Sequence, residues 1–379
     1  MKKWEENIRK VTPYVPGEQP KRRDVVKLNT NENPYPPSPR VAKALRQIST
    51  ESMRKYPDPE ARMLVEAIAE METSPRSGSA AERGCLSEDA ACGTAAMENL
   101  TPEQIFVGVG SDDVLAMIFL TFFNSEKPVL FPDITYSFYD VWADMLRIPY
   151  ERQPLNEAFE IVGRDYYKEN GGVIFPNPNA PTGALLGLDV IEDIIRHNQD
   201  VIVVVDEAYI DFGGVSCVGL LEKYDNLIVV KTFSKSRSMA GMRIGYAVAG
   251  KELIGYLNDV KYSFNSYTMN QTAILLGTAA ARDNEYFEET RRKIIATREK
   301  AKLELAKLGF SFQDSQANFL FVTHKSVPAA ELFAALKEEG IYVRYFDRPR
   351  IDNYLRITIG TDEEMERLYA FLRTYPGIR

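Results

Sequence analysis

A lysine, an arginine and an aspartate, each next to an apolar run, are the residues in this chain best able to do chemistry. Lys231-Thr232-Phe233-Ser234-Lys235 closes one such run, and Arg243 stands eight positions beyond Lys235, within Ala240-Gly241-Met242-Arg243-Ile244-Gly245-Tyr246. An amine that can lose its proton near neutral pH is a nucleophile and a proton carrier, and a fixed guanidinium grips phosphate through two hydrogen bonds. The plainer alternative is a surface lysine and a salt-bridging arginine after a buried strand. Val203-Val204-Val205-Asp206-Glu207-Ala208-Tyr209 puts a carboxylate at the C-terminal end of a second run, where open α/β sheets place their ligands. A helix cap or an ion pair would use Asp206 equally well.

Three further segments could complete a binding site. Val107-Gly108-Val109-Gly110-Ser111-Asp112-Asp113 is a glycine turn before an apolar helix, and a helix N-terminus offers unpaired N–H groups to a phosphate. It is similar to a dinucleotide fingerprint, except that Asp113 stands where the third glycine would be. Phe131-Pro132-Asp133-Ile134-Thr135-Tyr136 follows a strand and ends on an aromatic ring, which could stack on a ligand or sit in the core. Pro176-Asn177-Pro178-Asn179-Ala180-Pro181-Thr182-Gly183 is a turn by composition, whatever else it does.

The elements that must position these residues alternate. Runs at Ile105–Val109, Pro128–Phe131, Gly172–Phe175, Val201–Val205, Asn226–Val230 and Ile244–Ala249 read as strands, several of them apolar throughout. That pattern belongs to a mostly parallel sheet covered on both faces. Helical stretches lie between them at Asp112–Phe123, Tyr136–Leu146 and Leu188–His197, which means an α/β layered domain. Beyond Lys251 helices dominate to Leu308. Strands at Ala317–Val322, Ile341–Arg344 and Tyr354–Ile359 then alternate with helices at Pro328–Glu339 and Asp362–Arg373, a smaller α+β unit. The Pro- and Asn-rich arm Thr12–Pro39 reads as loop able to pack back on that unit. Thr73–Asn99 is rich in Ala, Ser, Gly and Glu and offers a core almost nothing, so it reads as a mobile insertion.

Composition excludes several classes. With 379 residues the chain has room for two domains, and its net charge of −8 argues against nucleic acid or an anionic membrane as the main partner. The basic start Met1-Lys2-Lys3 runs into Trp4-Glu5-Glu6-Asn7 instead of an apolar stretch, so no signal peptide is expected. No uninterrupted apolar run is long enough for a membrane span. Cys85, Cys92 and Cys217 form neither a disulfide framework nor a metal pattern, and His197 and His324 are too few for a histidine metal site. No metal is expected, and a reducing cytoplasm is the default.

Taken together and in this order, the five segments resemble the cofactor site of fold-type I pyridoxal-phosphate (PLP) aminotransferases of class I/II. The resemblance implies the α/β PLP-dependent transferase fold. A mostly parallel seven-stranded sheet would lie in a large domain at 35–262, with a smaller α+β domain built from 1–34 and 263–379. It implies that Lys235 carries PLP and acts as base, that Asp206 pairs with the protonated pyridine nitrogen, and that Tyr209 contacts the ring's 3-oxygen. Arg243, Thr232, Ser234 and the Gly110-Ser111-Asp112 turn would hold the phosphate, and Tyr136 would stack on the ring. The family commonly has asparagine where this chain has Ala180, so Asn179 is expected to substitute from one residue earlier.

The flanks narrow the resemblance. Thr12-Pro13-Tyr14 and Leu28–Pro39, including Asn31, look like the opening of histidinol-phosphate aminotransferases. Lys55-Tyr56-Pro57-Asp58-Pro59 matches the segment whose tyrosine crosses a homodimer to the neighbouring subunit's PLP phosphate. Tyr354-Leu355-Arg356-Ile357-Thr358-Ile359-Gly360 resembles the strand whose arginine binds the substrate's acidic group, with Arg344 a second candidate and Tyr14 and Asn31 beside them. The implied reaction moves an amino group between L-histidinol phosphate and 2-oxoglutarate, giving imidazole-acetol phosphate and glutamate in histidine biosynthesis. An aromatic amino-acid aminotransferase and a threonine-phosphate decarboxylase share the scaffold. From a different class, a nucleotide-dependent oxidoreductase rests on Gly108–Gly110.

Overall fold

The structure, a computed structural model, describes residues 2–22, 24–73 and 100–378. The expected insertion therefore lies outside the described residues, apart from Thr73.

The N-terminal arm contributes β1 (Val26–Lys27), followed by α1 (Pro39–Leu45) and α2 (Arg62–Thr73). Strands and helices then alternate as β2 (Ile105–Gly108), α3 (Ser111–Phe122), β3 (Val129–Pro132), α4 (Phe138–Leu146), β4 (Tyr150–Gln153), β5 (Gly172–Pro176), α5 (Leu188–Arg196), β6 (Val203–Asp206), β7 (Leu227–Thr232) and β8 (Gly245–Ala249). Seven strands form one sheet in the order β2-β8-β7-β6-β5-β3-β4. Only β8 runs against its two neighbours, and every other pairing is parallel. The expected α/β class and mostly parallel seven-stranded sheet are therefore what the chain forms.

Covering on both faces explains the near-continuous valine and isoleucine in the central strands. Val203, Val205, Leu227 and Val229 face a cluster that includes Leu64 and Ile68 of α2 and Ile191 and Ile194 of α5. Val204, Ile228 and Val230 point the other way, toward Val114 and Ile118 of α3 and Trp142 of α4. Alternate residues thus serve two cores, and the sheet is the middle of three layers.

The rest of the chain holds α6 (Lys251–Phe264), α7 (Gln271–Ala281), α8 (Asn284–Lys307), β9 (Phe310–Phe312), β10 (Phe319–His324), α9 (Ala329–Glu338), β11 (Ile341–Tyr342), β12 (Arg344–Tyr345), β13 (Leu355–Thr358) and α10 (Asp362–Thr374). An antiparallel sheet runs β12-β13-β10-β9, and β1 pairs in parallel with β11, Val26 opposite Ile341. The arm does pack against this part of the chain, and as a strand as well as a loop. Ala273, Ile274 and Leu276 of α7 share the apolar cluster of the large sheet, although they lie beyond the expected boundary at 262.

Candidate active site

The C-terminal ends of the central strands bring the chemically able residues together. Asp206 ends β6 and is 4% exposed. Its Oδ2 accepts a hydrogen bond from the Tyr139 hydroxyl at 3.0 Å and its Oδ1 accepts one from the Ala208 N–H at 3.2 Å. Burial pushes this carboxyl up to about 6, against the pull of those two donors. Glu207, next in the chain, points away from it. Its carboxylate accepts from Ser216 Oγ and the Cys217 N–H, both at 2.6 Å, and lies 3.7 Å from Lys231 Nζ. Lys231 also donates to Glu72 of α2 at 2.7 Å, with both side chains buried.

β7 carries the chain to Ser234 and Lys235. Lys235 Nζ donates to the Thr30 carbonyl at 3.4 Å and lies 5.6 Å from the centroid of the Tyr209 ring. The Lys235 and Ser236 carbonyls accept from Asn33 Nδ2 at 3.0 and 3.1 Å, which ties the lysine loop to the N-terminal arm. The Tyr209 hydroxyl accepts from Asn31 Nδ2 at 2.9 Å, while Thr358 Oγ1 donates to Asn31 Oδ1 at 3.0 Å. Asn31 thus orients Tyr209 from beneath the cleft, rather than presenting a free amide to it.

The glycine turn and Arg243 form the opposite wall. Gly110 precedes α3 with φ 86° and supplies no side-chain cap, so the first N–H groups of α3 have no side-chain acceptor from that residue. A Cβ at Gly110 would strike the Arg243 guanidinium, and one at Gly245 would strike the Gly110–Ser111 backbone. Only glycine permits both the positive φ and this approach. Arg243 Nη2 donates to Asp112 Oδ2 at 2.9 Å, and the Tyr136 hydroxyl donates to Asp112 Oδ1 at 2.6 Å. Ser234 N–H donates to Thr232 Oγ1 at 3.1 Å, which turns the loop after β7.

Beside Lys235 lies a cleft of about 170 Å³, with Tyr209, Tyr14, Tyr136, Arg344 and Arg356 also on its lining. Arg356 donates from Nη2 to the Asn29 carbonyl at 3.0 Å, while its buried Nε has no hydrogen-bond partner. Burial lowers this guanidinium from its ordinary value, yet it remains a cation. Arg344 Nη2 reaches the Val15 carbonyl at 3.4 Å. The Tyr14 ring stacks on Phe138 with centroids 4.2 Å apart, closing one side of the cleft.

Two expected site residues lie elsewhere in this chain. Asn179 is 2% exposed; its amide donates to the Ile134 carbonyl, in the loop after β3, and to Thr182 Oγ1, and accepts from Thr135 of that same neighbouring loop. Ala180 and Pro181 reach the cleft instead. Tyr56 is 81% exposed and stacks on Tyr267, remote from the residues around Lys235. Tyr139 was not among the expected residues. The only sequence signal for it is its place three residues after Tyr136, which serves a core tyrosine equally well.

The strand feeding Gly108–Gly110 also disposes of the oxidoreductase alternative. β2 is an edge strand whose one partner, β8, is antiparallel, whereas a dinucleotide fold needs that strand inside a parallel βαβ unit. Among the described residues no group of three or more His, Cys, Asp and Glu could hold a metal ion. No described helix is long and apolar enough to cross a membrane.

The fold and site can be set beside known proteins. Over 92% of this chain and 95% of its own, a putative histidinol-phosphate aminotransferase from Erwinia carotovora atroseptica superposes with a TM-score of 0.79 at 23% identity. The Sinorhizobium meliloti histidinol-phosphate aminotransferase, solved in complex with pyridoxal-5'-phosphate, gives 0.76 at 23% identity, covering 92% and 90%. At these identities the likeness is one of fold. Sequence relatives are nearer. The histidinol-phosphate aminotransferase of Lactococcus lactis subsp. cremoris (strain MG1363) is 48% identical over 98% of this chain and 97% of its own. That of Acinetobacter baylyi is 47% identical over 99% and 98%. The sequence model of the family described as aminotransferase class I and II matches residues 23–372, and the chain belongs to that family.

Proposed function

We propose that this aminotransferase uses PLP to move an amino group between L-histidinol phosphate and 2-oxoglutarate, giving imidazole-acetol phosphate and glutamate. The observation that carries the substrate class is Arg356, a part-buried cation whose buried Nε has no partner, on the same cleft as Lys235. A buried donor without a partner is costly, so the cleft favours a substrate that brings an anion to it. The name shared by relatives 47–48% identical over nearly the whole chain supports histidinol phosphate as that substrate.

The residues fit PLP. The Gly110 approach and the uncapped start of α3 suit a phosphate beside Arg243, and the buried Asp206 suits a protonated ring nitrogen. Lys235 would carry the cofactor. Arg243, Thr232, Ser234 and the Gly110-Ser111-Asp112 backbone would hold its phosphate, with Tyr136 against the ring face and Tyr209 at the ring oxygen. Asn179 is committed to the loop after β3, and Asn31 keeps Tyr209 in place instead. When bound, PLP supplies the electron sink that lets the substrate's α-carbon give up a proton.

The chain's own groups do the remainder. Lys235 Nζ takes the proton from the α-carbon and returns one later. Asp206, as an anion, holds a proton at the ring nitrogen. Arg356 binds the phosphate of one substrate and a carboxylate of the other, which a planar guanidinium can do without rearrangement, while Arg344 adds charge at the same end. The stacked Tyr14 and Phe138 rings exclude water from the reacting side.

We further read the protein as a cytoplasmic homodimer. Tyr56 with Tyr267, and Met53 and Phe264, which are 60% and 72% exposed, mark an apolar surface that a second copy would cover. Incubating the protein with PLP, 2-oxoglutarate and a panel of amino donors tests the activity. Glutamate should form fastest with histidinol phosphate. A faster rate with phenylalanine, or release of carbon dioxide from threonine phosphate, would overturn the substrate assignment.

A further inference from the structure

Tyr139 has no part in the reaction as set out above, yet its hydroxyl is spent on the most chemically loaded carboxylate in the molecule. The residue lies in the first turn of α4 and is wholly buried. Its ring is held edge-on by Phe131 at 5.9 Å and by Tyr136 at 5.9 Å, with Phe119 and Trp142 at 6.4 Å. Close packing on these sides restrains the ring, and its hydroxyl points to Asp206 Oδ2 at 3.0 Å. Burial raises the phenol well above its ordinary value, so the group stays protonated and acts only as a donor.

From these contacts we infer that Tyr139 is a positioning residue, whose hydroxyl fixes the direction and the charge of the Asp206 carboxylate. The two oxygens of Asp206 are held separately, Oδ1 by the Ala208 N–H and Oδ2 by Tyr139. A carboxylate with one donor on each oxygen cannot rotate freely, and both bonds favour its ionised form. The neighbours on other elements oppose that form. Asp112 from α3 and Glu207 at the end of β6 both press toward protonation, and Lys231, the cation near Glu207, is shared with Glu72. Tyr136 and Tyr209 also lie close to Tyr139. Tyr139 is thus the side-chain donor that offsets burial and two nearby carboxylates.

The inference rests on the proposed pairing of Asp206 with the PLP ring nitrogen, and its test is read in the protein without PLP. The carboxyl carbon of Asp206, followed by NMR through a pH titration, should show a midpoint near 6 in the parent. Tyr139→Phe removes one oxygen from a packed ring and should raise that midpoint by about 1–2 pH units, the size of a hydrogen bond to a charged group. Placing 3-fluorotyrosine at position 139 makes the hydroxyl a stronger donor and should lower the midpoint, which keeps the test alive if Tyr139→Phe folds poorly. PLP affinity at neutral pH should fall with Tyr139→Phe and recover as the pH is raised above the new midpoint. A midpoint that neither change moves would overturn the inference. If the midpoint moves as stated but Asp206→Asn turns over as fast as the parent, the positioning of Asp206 stands and its pairing with PLP fails.

Discussion

In the proposed mechanism Lys235 unites two tasks in one amine, carrying the cofactor and moving the α-proton, so its loss should be far more damaging than that of any one phosphate ligand. Lys235→Ala should lower kcat by more than about 10⁴-fold while leaving the thermal midpoint near that of the parent, because general base catalysis alone is worth up to that factor. Activity and melting measured on one preparation check both halves. Asp206 carries a pH dependence of definite sign. Its carboxyl sits near 6 in the folded protein, so lowering the pH through that value removes the anion that faces the ring nitrogen. PLP affinity of the cofactor-free protein should weaken by up to about tenfold per pH unit below 6, and Asp206→Asn should lack that dependence. Isothermal titration from pH 5 to 8 separates the two. Lys235, Asp206 and Arg243 stood out in the sequence because the chemistry proposed for them demands particular residue types at the ends of apolar runs. Tyr139 was not, since a buried tyrosine needs no reason beyond packing. The inward turn of Asn179 was also hidden, because an amide that bonds to a neighbouring loop reads the same in sequence as one that faces a ligand.

At the scale of elements, the strands that position the site announced themselves through their valines and isoleucines. β4 did not. It is an edge strand reading Tyr150-Glu151-Arg152-Gln153, and an edge exposed to water selects for charge instead of apolar alternation. Pairing across long separations was equally silent, as with β1 on β11, where two residues from each end of the chain meet. One buried link binds elements that the sequence leaves far apart. Lys231 of β7 joins Glu72 of α2 and Glu207 after β6 behind the Asp206 wall. Lys231→Met would remove the cation that the buried Glu72 and Glu207 share and should destabilise the protein by about 3–5 kcal/mol. Denaturant unfolding checks the magnitude, and a change below about 1 kcal/mol, the usual worth of an exposed pair, would show that the cluster is not buried as described.

For the molecule as a whole, the proposed homodimer has the exposed Tyr56 complete the active site of a second copy. Mixing Tyr56→Phe with Lys235→Ala under conditions that allow subunit exchange should restore activity above either variant alone, since a heterodimer can assemble one site with both residues intact. Sedimentation that finds an active monomer would contradict this arrangement. The central claim concerns what the cleft was built to bind. In the proposed function the donor's phosphate supplies the partner that Arg356 Nε lacks, and a donor without phosphate leaves it unpaired. The direct measurement is kcat/KM for histidinol phosphate against histidinol, with 2-oxoglutarate as acceptor. A site built around a polar group rejects the analogue lacking it by on the order of 10⁴-fold, and the account predicts a preference of that size for the phosphorylated donor. Comparable efficiency with histidinol, or a higher value with phenylalanine or tyrosine, would contradict it.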